Sequence, residues 1–105
     1  MKSLVLEKSK RFAVRIVKLH MWLRDEKHEY VMAKQLLRCG TSIGANLSEA
    51  EFAISENDFL AKLYIALKET AETLYWLELL HETGYMTDAE FSSIGQEADE
   101  IQRML

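Results

Sequence analysis

The sequence predicts an all-α fold, an antiparallel up-down-up-down four-helix bundle, on three observations. No proline interrupts the chain, four segments repeat apolar residues at steps of three and four, and no stretch alternates long enough to form a strand. At 105 residues, the chain is expected to form a single four-helix bundle domain over residues 1–105.

The first segment, about Glu7 to Leu23, places Phe12, Ile16, Leu19 and Leu23 on one face, which Ala13, Val17 and His20 widen. Asp25-Glu26-Lys27-His28 reads as a short polar connection, so the first two helices are expected to be antiparallel neighbours. The second segment, about Glu29 to Phe52, has the cleanest seam: Ala33, Leu36, Gly40, Ile43, Leu47, Ala50 and Ile54, the last belonging either to the seam or already to the connection before Ser55. Ser55-Glu56-Asn57-Asp58 has the form of a capping box and opens the third segment, which runs to about Thr83. Its seam is expected to be Leu60, Leu63, Leu67, Thr70, Leu74, Leu77 and His81, with Gly84 supplying the left-handed cap. Thr87-Asp88-Ala89-Glu90 repeats the capping form, and Phe91, Ile94, Ala98, Ile101 and Leu105 carry the fourth seam.

Charge is distributed unevenly along the chain. Residues 1–38 hold ten basic and four acidic side chains, net +6, whereas residues 39–105 hold three and thirteen, net −10, giving −4 in total. An acidic total argues against a general nucleic-acid binder. The asymmetry has two readings: attraction between the first helix and the later ones, within or between subunits, or a basic surface for an anionic partner. Lys8, Arg11, Arg15 and Lys18 form that basic stripe, which could meet RNA phosphates or the acidic faces of a neighbouring copy. The start of the chain has only Leu4-Val5-Leu6 as an apolar run, too short for a signal or a membrane span, and the single Cys39 cannot form an internal disulfide. A cytoplasmic protein with no membrane partner is expected.

Two stripes remain after the core is filled. At about 100° per residue, Ile65, Trp76 and Leu79 fall nearly opposite the Leu60–His81 seam, alongside Glu69 and Glu72. A second apolar stripe on a helix signals contact with another copy, unless Trp76 simply lies half-exposed against Tyr75, Phe52 or a loop. On the second helix, Gln35, Ser42, Asn46 and Glu49 form an off-seam polar stripe among the small residues Cys39, Gly40, Thr41, Gly44, Ala45 and Ser48. Its polar side chains either face solvent or bond across a helix interface, with Glu69 or Glu72 as candidate acceptors. The expected oligomer interface is therefore Ser42, Asn46, Glu49, Ile65, Glu69, Glu72, Trp76 and Leu79.

Catalytic chemistry finds little footing. Glu78-Leu79-Leu80-His81 has the Glu-x-x-His spacing of di-iron bundles, but such sites need a second copy inside the bundle, and Asp25-Glu26-Lys27-His28 falls in a turn. His81 instead suits a helix C-terminus, where an imidazole caps carbonyls. Cys39 reads as a packed thiol, and no zinc spacing or phosphate loop is present. No catalytic residue, metal, cofactor or small-molecule substrate is expected.

Two motifs carry a family resemblance: Thr41-Ser42-Ile43-Gly44-Ala45-Asn46-Leu47-Ser48-Glu49-Ala50, and Ala66-Leu67-Lys68-Glu69-Thr70-Ala71-Glu72-Thr73 leading into Trp76-Leu77. Lys8-Ser9, Phe12-Ala13, Ile16-Val17, Ser55 and Asp58-Phe59 extend it over almost the whole chain. The chain resembles the bacterial four-helix bundle proteins encoded in intervening sequences of 23S rRNA genes. That resemblance implies a homopentameric, ribosome-associated scaffold. Barrel-shaped retroelement accessory proteins of similar fold bind nucleic acid through basic surfaces, which makes RNA binding by the first helix the alternative.

Overall fold

The computed structural model describes residues 4–105, which form four helices: α1 (Leu4–Asp25), α2 (Val31–Ala50), α3 (Glu56–Glu82) and α4 (Asp88–Met104). Each helix packs on its chain neighbours and α4 closes against α1, while the diagonal pairs α1/α3 and α2/α4 stay apart. This is the predicted antiparallel bundle, 43 × 22 × 18 Å, its length set by the 27 residues of α3.

Local chemistry sets the ends. The Glu29 carboxylate accepts the backbone N–H groups of Val31, Met32 and Ala33, so Glu29 caps α2 from outside rather than beginning it. His28 takes a left-handed φ of 53° in the turn before it. At α3, the Ser55 hydroxyl accepts from the Asp58 N–H at 3.0 Å, and the Asp58 carboxylate accepts from Ile54, one residue beyond the box. The α4 box is complete: Thr87 Oγ1 accepts from Glu90 N–H, and Glu90 Oε1 accepts from Thr87 N–H. Between α3 and α4, Gly84 adopts φ 89° and donates to the His81 carbonyl while Tyr85 donates to that of Leu80.

One apolar cluster joins all four helices, with Phe12, Ile16, Leu23, Leu36, Ile43, Leu47, Leu77, Leu80 and Ile101 fully enclosed. The α2 seam is buried as expected from Ala33 to Ala50, and Ile54 lies in the connection past the helix, 93% exposed. On α1, Val17 sits outside the core and Val5 and Ser9 inside it.

The α3 seam differs from its sequence reading. Ala66, Thr70, Thr73, Leu77 and Leu80 are buried, Leu63, Leu67, Leu74 and His81 are half-buried, and Leu60 is exposed. The two threonines enter the core because their hydroxyls donate to the carbonyls four residues back, Ala66 and Glu69, at 2.7 Å each. With the hydroxyl satisfied locally, the rest of the side chain packs as an apolar group. The true seam is rotated from the Leu60–His81 line by less than one residue step, which turns the supposed opposite stripe into the flank that faces α2.

Candidate interaction surfaces

The eight residues of the expected interface fall on two helices packed against each other, Ser42, Asn46 and Glu49 on α2, and Ile65, Glu69, Glu72, Trp76 and Leu79 on α3. Arg38 of α2 reaches across to α3, with Nη1 3.5 Å from Glu69 and Nη2 hydrogen-bonded to Glu72. Glu72 also accepts the Trp76 indole N–H at 3.0 Å, and Glu49 pairs with Lys62 at 3.0 Å. The anticipated bond from Asn46 to Glu69 or Glu72 does not form in this chain. The Asn46 amide donates to the Ser42 carbonyl and hydroxyl on its own helix, at 2.8 and 3.0 Å, because Arg38 occupies both glutamates. Arg38 was absent from the sequence reading although it continues the Gln35, Ser42, Asn46, Glu49 line at helical steps.

Trp76 is half-buried and packs on the core cluster, with Tyr75 meeting it edge-on at 5.2 Å between ring centroids. The indole thus lies along the flank of α3 rather than on its outward face. Leu60, Tyr64 and Tyr75 occupy that outward face and are all more than half exposed. On α1, Val14, Val17 and Met21 are exposed at steps of three and four. Phe52 and Ile54, in the α2–α3 connection, add an apolar tip at one bundle end. Sequence reasoning missed the α1 stripe because Val17 had been assigned to the core.

The basic stripe divides in two. Lys8 pairs with Glu100 at 2.5 Å, and Arg15 pairs with Glu97 at 2.7 Å while donating to Ser93 at 3.2 Å. Both are contacts with α4 of the same chain. Arg11 lies between them in a charged cleft of about 470 Å³, exposed and without an ionic partner among the described residues, as is Lys18 farther along α1.

His81 stacks on Phe91, ring centroids 4.4 Å apart and planes 4° from parallel, and its Nε2–H donates to Asp88 at 2.6 Å. It therefore ties α3 to α4 rather than capping carbonyls, while Glu78 is exposed. No group of three or more His, Cys, Asp and Glu among the described residues is placed to hold a metal ion. Burial pushes the Cys39 thiol pKa up, which disfavours the reactive thiolate. No described helix is long and apolar enough to cross a membrane.

Comparison with known proteins covers the same span. The family model of the 23S rRNA-intervening sequence protein matches residues 1–105. No curated protein matches. A crystal structure at 1.70 Å of a protein of unknown function from the S23 ribosomal protein family, from Bacteroides thetaiotaomicron VPI-5482, is 54% identical with a TM-score of 0.95. The match covers 96% of this chain and 94% of that one. With bundle, motifs and full-length match in agreement, the chain belongs to the 23S rRNA-intervening sequence protein family.

Proposed function

We propose that this protein is a non-enzymatic, cytoplasmic scaffold that acts as a homo-oligomer, a pentamer by the family resemblance, with α3 and its α2 flank as a contact surface. One observation carries the reading. Helix α3 already fills the core on its inner side, yet presents Leu60, Tyr64 and Tyr75 to solvent on its outer side, next to half-buried Leu79 and Trp76. Several large apolar side chains exposed on one face of a small bundle mark a protein–protein contact.

Light scattering at tens of micromolar tests it: the wild type is expected to run at several times its 12.2 kDa chain mass. Leu79→Asp and Trp76→Asp are both expected to dissociate the assembly. Leu79→Asp is the cleaner variant, because Trp76 also packs on its own core and bonds Glu72. A monodisperse wild-type monomer overturns the reading.

RNA binding through Lys8, Arg11, Arg15 and Lys18 is the second reading, supported by Arg11 and Lys18, which have no ionic partner among the described residues. Lys8 and Arg15 weigh against it, since phosphates would have to compete with Glu100 and Glu97. Replacing all four with Gln should abolish a salt-sensitive gel shift if the reading holds, and an unchanged shift disposes of it.

A further inference from the structure

We infer that the bundle end formed by the α2–α3 connection is a docking surface for a basic, partly apolar segment of another protein. This goes beyond the self-association reading and uses a different part of the molecule. Three observations support it.

The first is exposure where folding does not require it. Phe52 and Ile54 are 80% and 93% exposed, although the connection that carries them is only residues 51–55. The antiparallel topology brings the start of α1 and the end of α4 to the same end, where Leu4 and Met104 are also exposed. Turns ordinarily carry Gly, Asn, Asp or Ser at such positions, and large apolar side chains grouped at one end of a small bundle mark a contact.

The second is local order. Backbone N–H groups of Glu51, Phe52 and Ala53 donate to the carbonyls of Ser48, Glu49 and Ala50 at 3.3, 3.0 and 3.2 Å, and that of Ile54 donates to Asp58 Oδ2 at 3.1 Å. Phe52 and Ile54 therefore stand on a turn already formed, so a partner meets them without first ordering the loop.

The third is charge. Within the connection and the seven residues of each helix nearest this end, α2, α3 and the connection supply Glu49, Glu51, Glu56 and Asp58 against Lys62 alone. Lys62 is already held by Glu49 at 3.0 Å. On the other two helices the charges cancel: Lys8 pairs with Glu100, Arg103 with Asp99, and exposed Lys10 balances exposed Glu7. Lys2 lies outside the described residues. Asp58 and Glu56 also serve the fold, one accepting from Ile54 and the other in the first turn of α3, where the helix dipole favours a carboxylate, but both keep their charge. The apolar pair thus has an acidic surround, which attracts a cationic partner and repels RNA phosphates and anionic lipid alike.

Size sets the strength. The bundle is 22 × 18 Å in cross-section, about 400 Å² and so about half of what a standard interface covers on one partner. Binding is expected to be about micromolar or weaker, and to weaken further as salt screens the carboxylates.

The probe is a fluorescently labelled peptide of about 14 residues, with leucines at helical steps of three and four and lysines between them. It is titrated with the full chain and followed by anisotropy. Wild type is expected to bind it, and Phe52→Ser with Ile54→Ser should weaken binding about tenfold or more. Val14→Ser with Met21→Ser removes two exposed apolar side chains elsewhere and should leave the affinity within about twofold. A peptide with glutamate in place of lysine should not bind. Every replaced side chain is exposed, and circular dichroism checks that the helices persist.

Failure of the lysine peptide to bind wild type overturns the inference, as does equal binding by the Phe52 and Ile54 variant or equal binding of the glutamate peptide. A Phe52 and Ile54 variant that loses the wild-type mass in light scattering also overturns it, since the tip would then be a contact between copies; retention of that mass supports it. Sedimentation with phosphatidylcholine vesicles that depends on Phe52 and Ile54, without peptide binding, overturns it in favour of a membrane surface.

Discussion

Helices α1 and α2 meet at glycines, while α4 carries a glycine that no neighbouring helix approaches, and the two places give the same residue type opposite meanings. A Cβ added at Gly40 would lie 2.7 and 2.9 Å from Cγ2 and Cγ1 of Ile16, and one at Gly44 would lie 3.2 Å from the Ser9 hydroxyl. There the missing side chain is what lets the helices approach. On α4, a Cβ at Gly95 would meet nothing closer than the Phe91 ring at 3.9 Å, beside a groove of about 240 Å³ lined by Leu74, Phe91, Ser92, Gly95, Gln96 and Asp99. Glycine at that position costs helix stability and fills no packing role.

The largest effect should come from the aromatic residues on the two sides. Phe12 is fully enclosed, whereas Phe91 is half-buried under the His81 ring. Phe12→Ala is expected to cost about 3–5 kcal/mol in urea unfolding, and Phe91→Ala less than about 2 kcal/mol. Equal losses would show that the α3–α4 contact is as close-packed as α1–α2.

The glycines sharpen the contrast. Gly40→Ala gains about 1 kcal/mol of helix propensity but forces Ile16, a stiff β-branched side chain with no free volume, to move at a cost of about 1–3 kcal/mol. A net loss of about 1 kcal/mol is expected, and it should disappear in an Ile16→Ala background, a coupling readable in a double-mutant cycle. Gly95→Ala meets no obstacle and should stabilise the fold by about 0.5–1 kcal/mol. If the two Gly→Ala changes had the same sign, the difference between the seams would be one of appearance only.

The same contrast explains what could be read in the sequence. The α2 seam from Ala33 to Ala50 was legible because its apolar and small residues, Gly40 among them, fall on one arc of the helix. Helix α3 carries leucines around most of its circumference, so the letters favoured the leucine-rich line. The real seam runs through Ala66, Thr70 and Thr73, and a hydroxyl bonded to its own helix leaves no trace in composition. The polar contacts around Glu72 were legible in part. The Glu72–Trp76 bond is a four-residue step on one helix and could be anticipated, but Arg38 meeting Glu69 and Glu72 depended on which flank of α3 turns toward α2.

Where side-chain packing is open, local hydrogen bonds should carry more of the joint, and Glu90 tests that at the smallest scale. The Thr87 backbone N–H, and after it the Thr87 hydroxyl, hold the Glu90 carboxyl below its ordinary pKa of 4.5. A carboxyl whose pKa is lowered in the folded state stabilises the fold when ionised. Its contribution is complete above the unfolded value and is lost as pH falls through the folded one. Wild type should therefore melt above Glu90→Gln at about pH 7, with the difference shrinking as pH falls below 4.5 and through the lowered folded-state value, because Gln keeps an acceptor for the Thr87 N–H but not the charge. A difference in Tm that stays constant across this range would mean that the ionised box contributes nothing. The α3–α4 joint would then depend on the left-handed turn at Gly84 and the contacts of His81 with Asp88 and Phe91.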